Sequence, residues 1–212
     1  MKSSFLILAL LGGSVASATT VFDNGAPNLT NAFNSDLDFS PTQVSFDDFT
    51  VGAVTLRQVV WHGIYAATNT ASVVDSFTIQ FFNNVAGSPS GAAIQSYAVS
   101  PSRVNTGNLV VSTYKDYLYT ATIPDTVLAA GTYWISIFNN TVLDTDDNWY
   151  WSTSSNSGNA KLSNGGAAPS SIGVELSFAL TDTASSSVPE PSSLLLSAAG
   201  LTGFAALRRR SA

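Results

Sequence analysis

Val174, Leu176, Phe178 and Leu180 stand at every second position of one short run, with Gly173, Glu175, Ser177 and Ala179 between them. A period of two sends alternate side chains to opposite faces of an extended strand, so the first set shares one buried face. Phe77, Ile79 and Phe81 repeat the pattern, and so do Tyr133, Ile135 and Ile137. Residues 19–23, 53–61, 93–99, 109–123 and 148–153 are further strand candidates, rich in β-branched and aromatic residues. Turn-forming clusters separate them at Asn83-Asn84, Gly87-Ser88-Pro89, Pro101-Ser102, Asn139-Asn140 and Gly165-Gly166. Long helical periodicity is missing from the middle of the chain. About eight short, turn-linked strands predict an all-β fold, an antiparallel β-sandwich of jelly-roll or immunoglobulin-like type. The chain has no cysteine. A domain of about 170 residues buries roughly 70% of its unfolded surface and needs no disulfide staple.

The two ends are of another kind. Lys2, the apolar run 5–11 and the small-residue site Ala16-Ser17-Ala18 make a secretory signal peptide over residues 1–18, cut by signal peptidase after Ala18. The sandwich ectodomain is expected over 19–180. Residues 181–187 are a polar Ser/Thr linker. Val188-Pro189-Glu190-Pro191 follows, then sixteen uncharged residues at 192–207, then Arg208-Arg209-Arg210. As a helix, 192–207 would reach about 24 Å, enough for a single transmembrane span with local thinning. The arginines hold the far end in the cytoplasm and leave the ectodomain outside.

The tail, residues 188–212, resembles the PEP-CTERM sorting signal of Gram-negative bacteria. A Pro-Glu-Pro triplet, a Leu/Ala/Gly-rich span, a basic cluster and an immediate stop occur in order. The resemblance implies recognition by exosortase, an integral-membrane protease, with cleavage near the triplet. It implies brief residence in the inner membrane, then the cell surface or the medium, and association with exopolysaccharide and biofilm. Phe22-Asp23-Asn24-Gly25, Trp61-x-Gly63-x-Tyr65 and Gly131-Thr132-Tyr133-Trp134 also look like ectodomains carried by that family, and imply no activity.

Charge narrows the function further. Between Asp23 and Glu190 lie all fourteen acidic residues and only Arg57, Arg103, Lys115 and Lys161, a net charge of −10. Such a domain repels phosphate backbones, so no nucleic-acid partner is expected. His62 is the sole histidine, and no Gly-x-Ser-x-Gly elbow accompanies it. The two glutamates, Glu175 and Glu190, are a poor basis for a glycosidase acid–base pair. The expected protein is therefore non-catalytic, a surface or matrix component. The alternative is a carbohydrate-binding module, with a glycoside hydrolase behind it. Trp149 and Trp151 share one face of a strand and are the candidate sugar contact. Asp144, Asp146 and Asp147 are the candidate calcium ligands, with Asp47-Asp48 as further donors; no other cofactor is expected. An EF-hand loop starting at Asp144 fails, because Trp149 and Ser155 stand where Gly and Glu are required.

Overall fold

The computed structural model describes residues 19–140 and 147–182. The expected signal peptide, Asp144, Asp146 and the sorting tail lie outside them. Within them the structure is all-β, with no helix. The strands are β1 (Thr20–Asp23), β2 (Pro27–Asn34), β3 (Gln43–Val51), β4 (Val54–Tyr65), β5 (Phe77–Val85), β6 (Ser88–Pro89) and β7 (Gln95–Val99). They continue with β8 (Ser102–Val110), β9 (Tyr114–Leu128), β10 (Gly131–Asn139), β11 (Trp149–Ser154), β12 (Lys161–Asn164), β13 (Ser170–Ser171) and β14 (Phe178–Thr181).

Two antiparallel sheets form. In the first, β4 is central, with β9 on one side and β14 and β11 in succession on the other. β1 pairs with β14, β2 with β11, and β8 with β9. The second runs β13-β12-β3-β10-β5, with β6 and β7 on the far side of β5. Their facing sides share one apolar cluster. The predicted alternation is kept there: Phe77, Ile79, Phe81, Ile135, Ile137, Leu176, Phe178 and Leu180 all enter it.

The first sheet also curls. β2 and β8 lie at opposite ends of the β2-β11-β4-β9-β8 run, yet they touch, and the Val111 N–H donates to the Leu29 carbonyl at 2.8 Å. Its outward face is therefore partly closed. Asn34, Ile64, Val110, Asp116 and Ser152 are buried outside the main cluster.

Several boundaries differ from the expected ones. The run 109–123 holds a hairpin turn, with Val111 and Ser112 both at positive φ (52° and 56°). Asn83-Asn84 lies inside β5, and the turn falls two residues later at Ala86-Gly87. Of the expected strand at 173–180 only the end is laddered, Leu176 making an isolated bridge to Thr153. Thr181, expected to begin the linker, is buried in β14 opposite Thr20 and Gln58.

Candidate functional site

The aromatic pair is the first correction. Trp149 and Trp151 do share one face of β11, but that face looks into the core, and both rings are 0% exposed. Trp149 sits edge-on to Phe77, ring centroids 4.9 Å apart, and Trp151 edge-on to Phe178 at 5.8 Å. Stacking on a sugar needs a free ring face, and neither ring has one. The Trp61-x-Gly63-x-Tyr65 pattern belongs to the same packing. Trp61 and Tyr65 are fully buried, and a methyl group on Gly63 would fall inside the Trp149 indole.

Of the expected calcium ligands, Asp147 is described, and it clasps a loop. Its Oδ2 accepts the Thr68 N–H at 2.7 Å and the Thr70 N–H at 2.8 Å, and its own N–H donates to the Thr70 carbonyl. Two amide donors thus occupy Oδ2, while Oδ1 lies 3.2 Å from the Thr68 hydroxyl.

A carboxyl cluster that the linear sequence did not bring together lies at the edge of β3. Oxygens of Asp47, Asp48 and Glu175 all come within 4.8 Å of one another. Asp47 is 0% exposed. Its Oδ2 accepts from Asn24 Nδ2 at 2.9 Å and from the Leu176 N–H, and its Oδ1 accepts from the Asp48 N–H at 2.9 Å. Glu175 Oε2 takes the same Asn24 amide group at 2.8 Å, while Oε1 takes the Asn159 N–H at 3.0 Å. Gly158 leaves the space that the Glu175 carboxyl fills. Burial pushes the Asp47 carboxyl well above its ordinary range, and its hydrogen bond to Glu175 and that group's charge push the same way. Asp48 is raised too, by burial and then by Glu175, against the pull of Lys161. N–H donors therefore reach both Asp47 oxygens and both Glu175 oxygens.

His62 has a partner after all. Its Nδ1 lies 3.0 Å from Asp116 Oδ2, and Asp116 is fully buried and also accepts from Thr106 Oγ1 at 2.9 Å. His62 lines a small open cavity of about 220 Å³ with Asp23, Gly25 and Ser177. Ser177 is buried and donates its hydroxyl to the Gly25 carbonyl at 2.8 Å, so it offers no free nucleophile.

The ends of the domain meet. Thr19 N–H donates to Asp182 Oδ1 at 3.0 Å, and Asp182 N–H returns to the Thr19 carbonyl at 3.1 Å. Five residues beyond Asp182, the segment 187–210 matches the family model of the PEP-CTERM protein-sorting motif. The chain carries a PEP-CTERM sorting motif. Val188, Pro189, Glu190, Pro191 and the three arginines all fall within the match. The motif implies an exported protein, processed by exosortase and sorted to the cell surface of a Gram-negative bacterium. No curated protein and no solved structure matches the chain.

Two groupings escaped the sequence reading. Asn24, Asp47 and Glu175 are brought together from three distant segments, and so are His62 and Asp116. A signal for the first was present in Asp23-Asn24-Gly25: Asn24 supplies the amide that holds both carboxyls, and Gly25, at φ 89°, turns the chain behind it.

Proposed function

We propose that this is a non-catalytic component of the cell surface or extracellular matrix, tethered briefly by its PEP-CTERM tail and associated with exopolysaccharide or biofilm. The observation that carries the reading is the match at 187–210, directly behind a β-domain that is closed at both ends by the Thr19–Asp182 bonds. The signal peptide directs export of the domain, and signal peptidase cuts after Ala18. The span 192–207 then stops transfer, and Arg208, Arg209 and Arg210 resist crossing the bilayer. Pro189 and Pro191 lack the N–H that a helix would need, which suits the segment around Glu190 to a protease that grips its backbone. The shortage of free nucleophiles near His62 supports the non-catalytic part. The chain changes sheets at most of its connections, which favours the jelly-roll over the immunoglobulin-like type.

Intact-mass measurement on fractions of a host that has the enzyme tests this. The mature product should begin at Thr19 and end near Pro189 or Pro191. Glu190→Ala should shift the uncut chain into the membrane fraction. A native product that keeps its arginine end would make the tail an ordinary anchor.

A further inference from the structure

The sequence contains two Asn-Gly pairs, Asn24-Gly25 and Asn164-Gly165. An asparagine before glycine is chemically labile. The glycine nitrogen, unshielded by a side chain, attacks the asparagine Cγ. The Cγ–Nδ2 bond breaks, ammonia leaves, and a five-membered succinimide forms across the two residues. Water then opens the ring at one carbonyl or the other, leaving Asp or isoAsp. The attack requires the carboxamide to swing over the following peptide nitrogen, and that nitrogen to shed its proton.

The fold treats the two pairs differently. Asn24 is 6% exposed. Its Nδ2 donates to Asp47, Glu175 and the Leu176 carbonyl, at 2.9, 2.8 and 3.1 Å. Its backbone N–H donates to the Phe178 carbonyl at 2.9 Å, and its carbonyl accepts from Asn156 Nδ2 at 3.0 Å. The Gly25 N–H, the attacking group, is bonded to Asp23 Oδ1 at 2.8 Å. The groups that the reaction must move are all tied. Asn164 ends β12 and is exposed. The Gly165 N–H donates to the Thr42 carbonyl at 2.8 Å, but the Asn164 carboxamide bonds to no other described residue.

Nor does the fold readily dispense with the reactive pair. Gly25 sits at φ 89°, and a methyl group there would meet Asn156 Nδ2 at 3.1 Å. The carboxamide at 24 gives one donor group to two acid side chains, on β3 and just before β14. A residue that slowed the chemistry at either position would break this join.

We propose that Asn24-Gly25 is a deamidation site gated by folding: protected in the closed domain, open while the chain is unfolded and, once converted, unable to support the closed domain at full stability. Neither product has a side-chain N–H. The Asp47 and Glu175 oxygens that Asn24 serves lose that donor and face a third acid. IsoAsp also adds a methylene to the backbone directly behind β1. The guard closes late, because β1 pairs with β14 and Glu175 lies just before β14. Nearly the whole domain must be in place before Asn24 is shielded. The conversion does not reverse, so time spent unfolded counts against the chain.

The test is peptide mapping by mass spectrometry on the full chain in detergent, held at mildly alkaline pH with and without guanidinium chloride. In denaturant both pairs should convert at similar rates. In the native protein Asn164 should convert, while Asn24 should be slower than in denaturant by on the order of a hundredfold or more, because its reaction waits for local opening. After the denaturant is removed, chains converted at 24 should be depleted from the refolded fraction, and chains converted only at 164 should not. Asn24→Asp, which has the side chain of one product, should melt on the order of 10 °C below the wild type, and its failure to fold would be the same result in stronger form. Asn164→Asp should melt with the wild type. Equal native rates at Asn24 and Asn164 would overturn the protection. An Asn24→Asp protein that melts with the wild type, or equal conversion at 24 in the refolded and unrefolded fractions, would overturn the gate.

Discussion

Trp151 shows how far a single residue can be read. The spacing placed it with Trp149 on one face of a strand, which is correct. It left open which way that face looks, because β11 is buried on both sides: Ser152 lies under the curl of the first sheet and Trp151 in the core. An aromatic next to acidic residues looked like a sugar platform only while that burial was unknown. Trp151→Ala should cost about 3–5 kcal/mol in denaturant unfolding, through lost apolar contact and a cavity. It also removes the indole N–H bond to the Ser177 carbonyl at 3.0 Å. Gly63→Ala, a smaller change, should destabilise by about 1–3 kcal/mol, because the new methyl must displace the Trp149 ring. A Gly63→Ala protein that melts with the wild type would mean that the ring shifts freely.

At the scale of elements, what was legible were strands with one apolar and one polar face. β5, β10 and the Leu176–Leu180 run were found because alternate residues meet the same core. β2, β8 and β12 were missed because their residues are largely half-buried or exposed, and β3 was missed although much of it is buried, because Ser45 and Asp47 interrupt its apolar alternation. β8 is further disguised by a register shift between Asn105 and Leu109, where Gly107 takes φ 82°. Loops follow a related rule. Asp147 was read as a candidate calcium ligand because it stands among acids; in the structure its Oδ2 accepts two backbone amides. Asp147→Ala should leave the Thr68 and Thr70 amides without their acceptor. We expect faster hydrogen exchange at these two amides and a loss of about 1–2 kcal/mol, while Asp147→Asn keeps part of the bonding. Unchanged exchange at both amides would mean that the clasp carries no weight in solution.

At the scale of the molecule, the fold class was legible because composition and period agree throughout, and the tail because its parts are contiguous. The carboxyl pair was not, since Asp47 and Glu175 become neighbours only after both sheets have closed. The same long reach governs folding speed. Thr20 pairs with Thr181, β3 with β10, and β4 with β14, so few strand partners are adjacent in sequence. Loop closure on this scale should hold refolding to milliseconds or longer, with seconds expected, as stopped-flow fluorescence of the buried tryptophans would record. Microsecond refolding would contradict the topology. The mutual bonds of Thr19 and Asp182 carry one more consequence. A domain whose first and last described residues touch is nearly a ring, and a few glycines between them would complete it. Opened instead at the exposed Ala86-Gly87 turn, the chain should rebuild both sheets in a new linear order, so the domain can be spliced into the interior of another protein without being pulled apart at its seam.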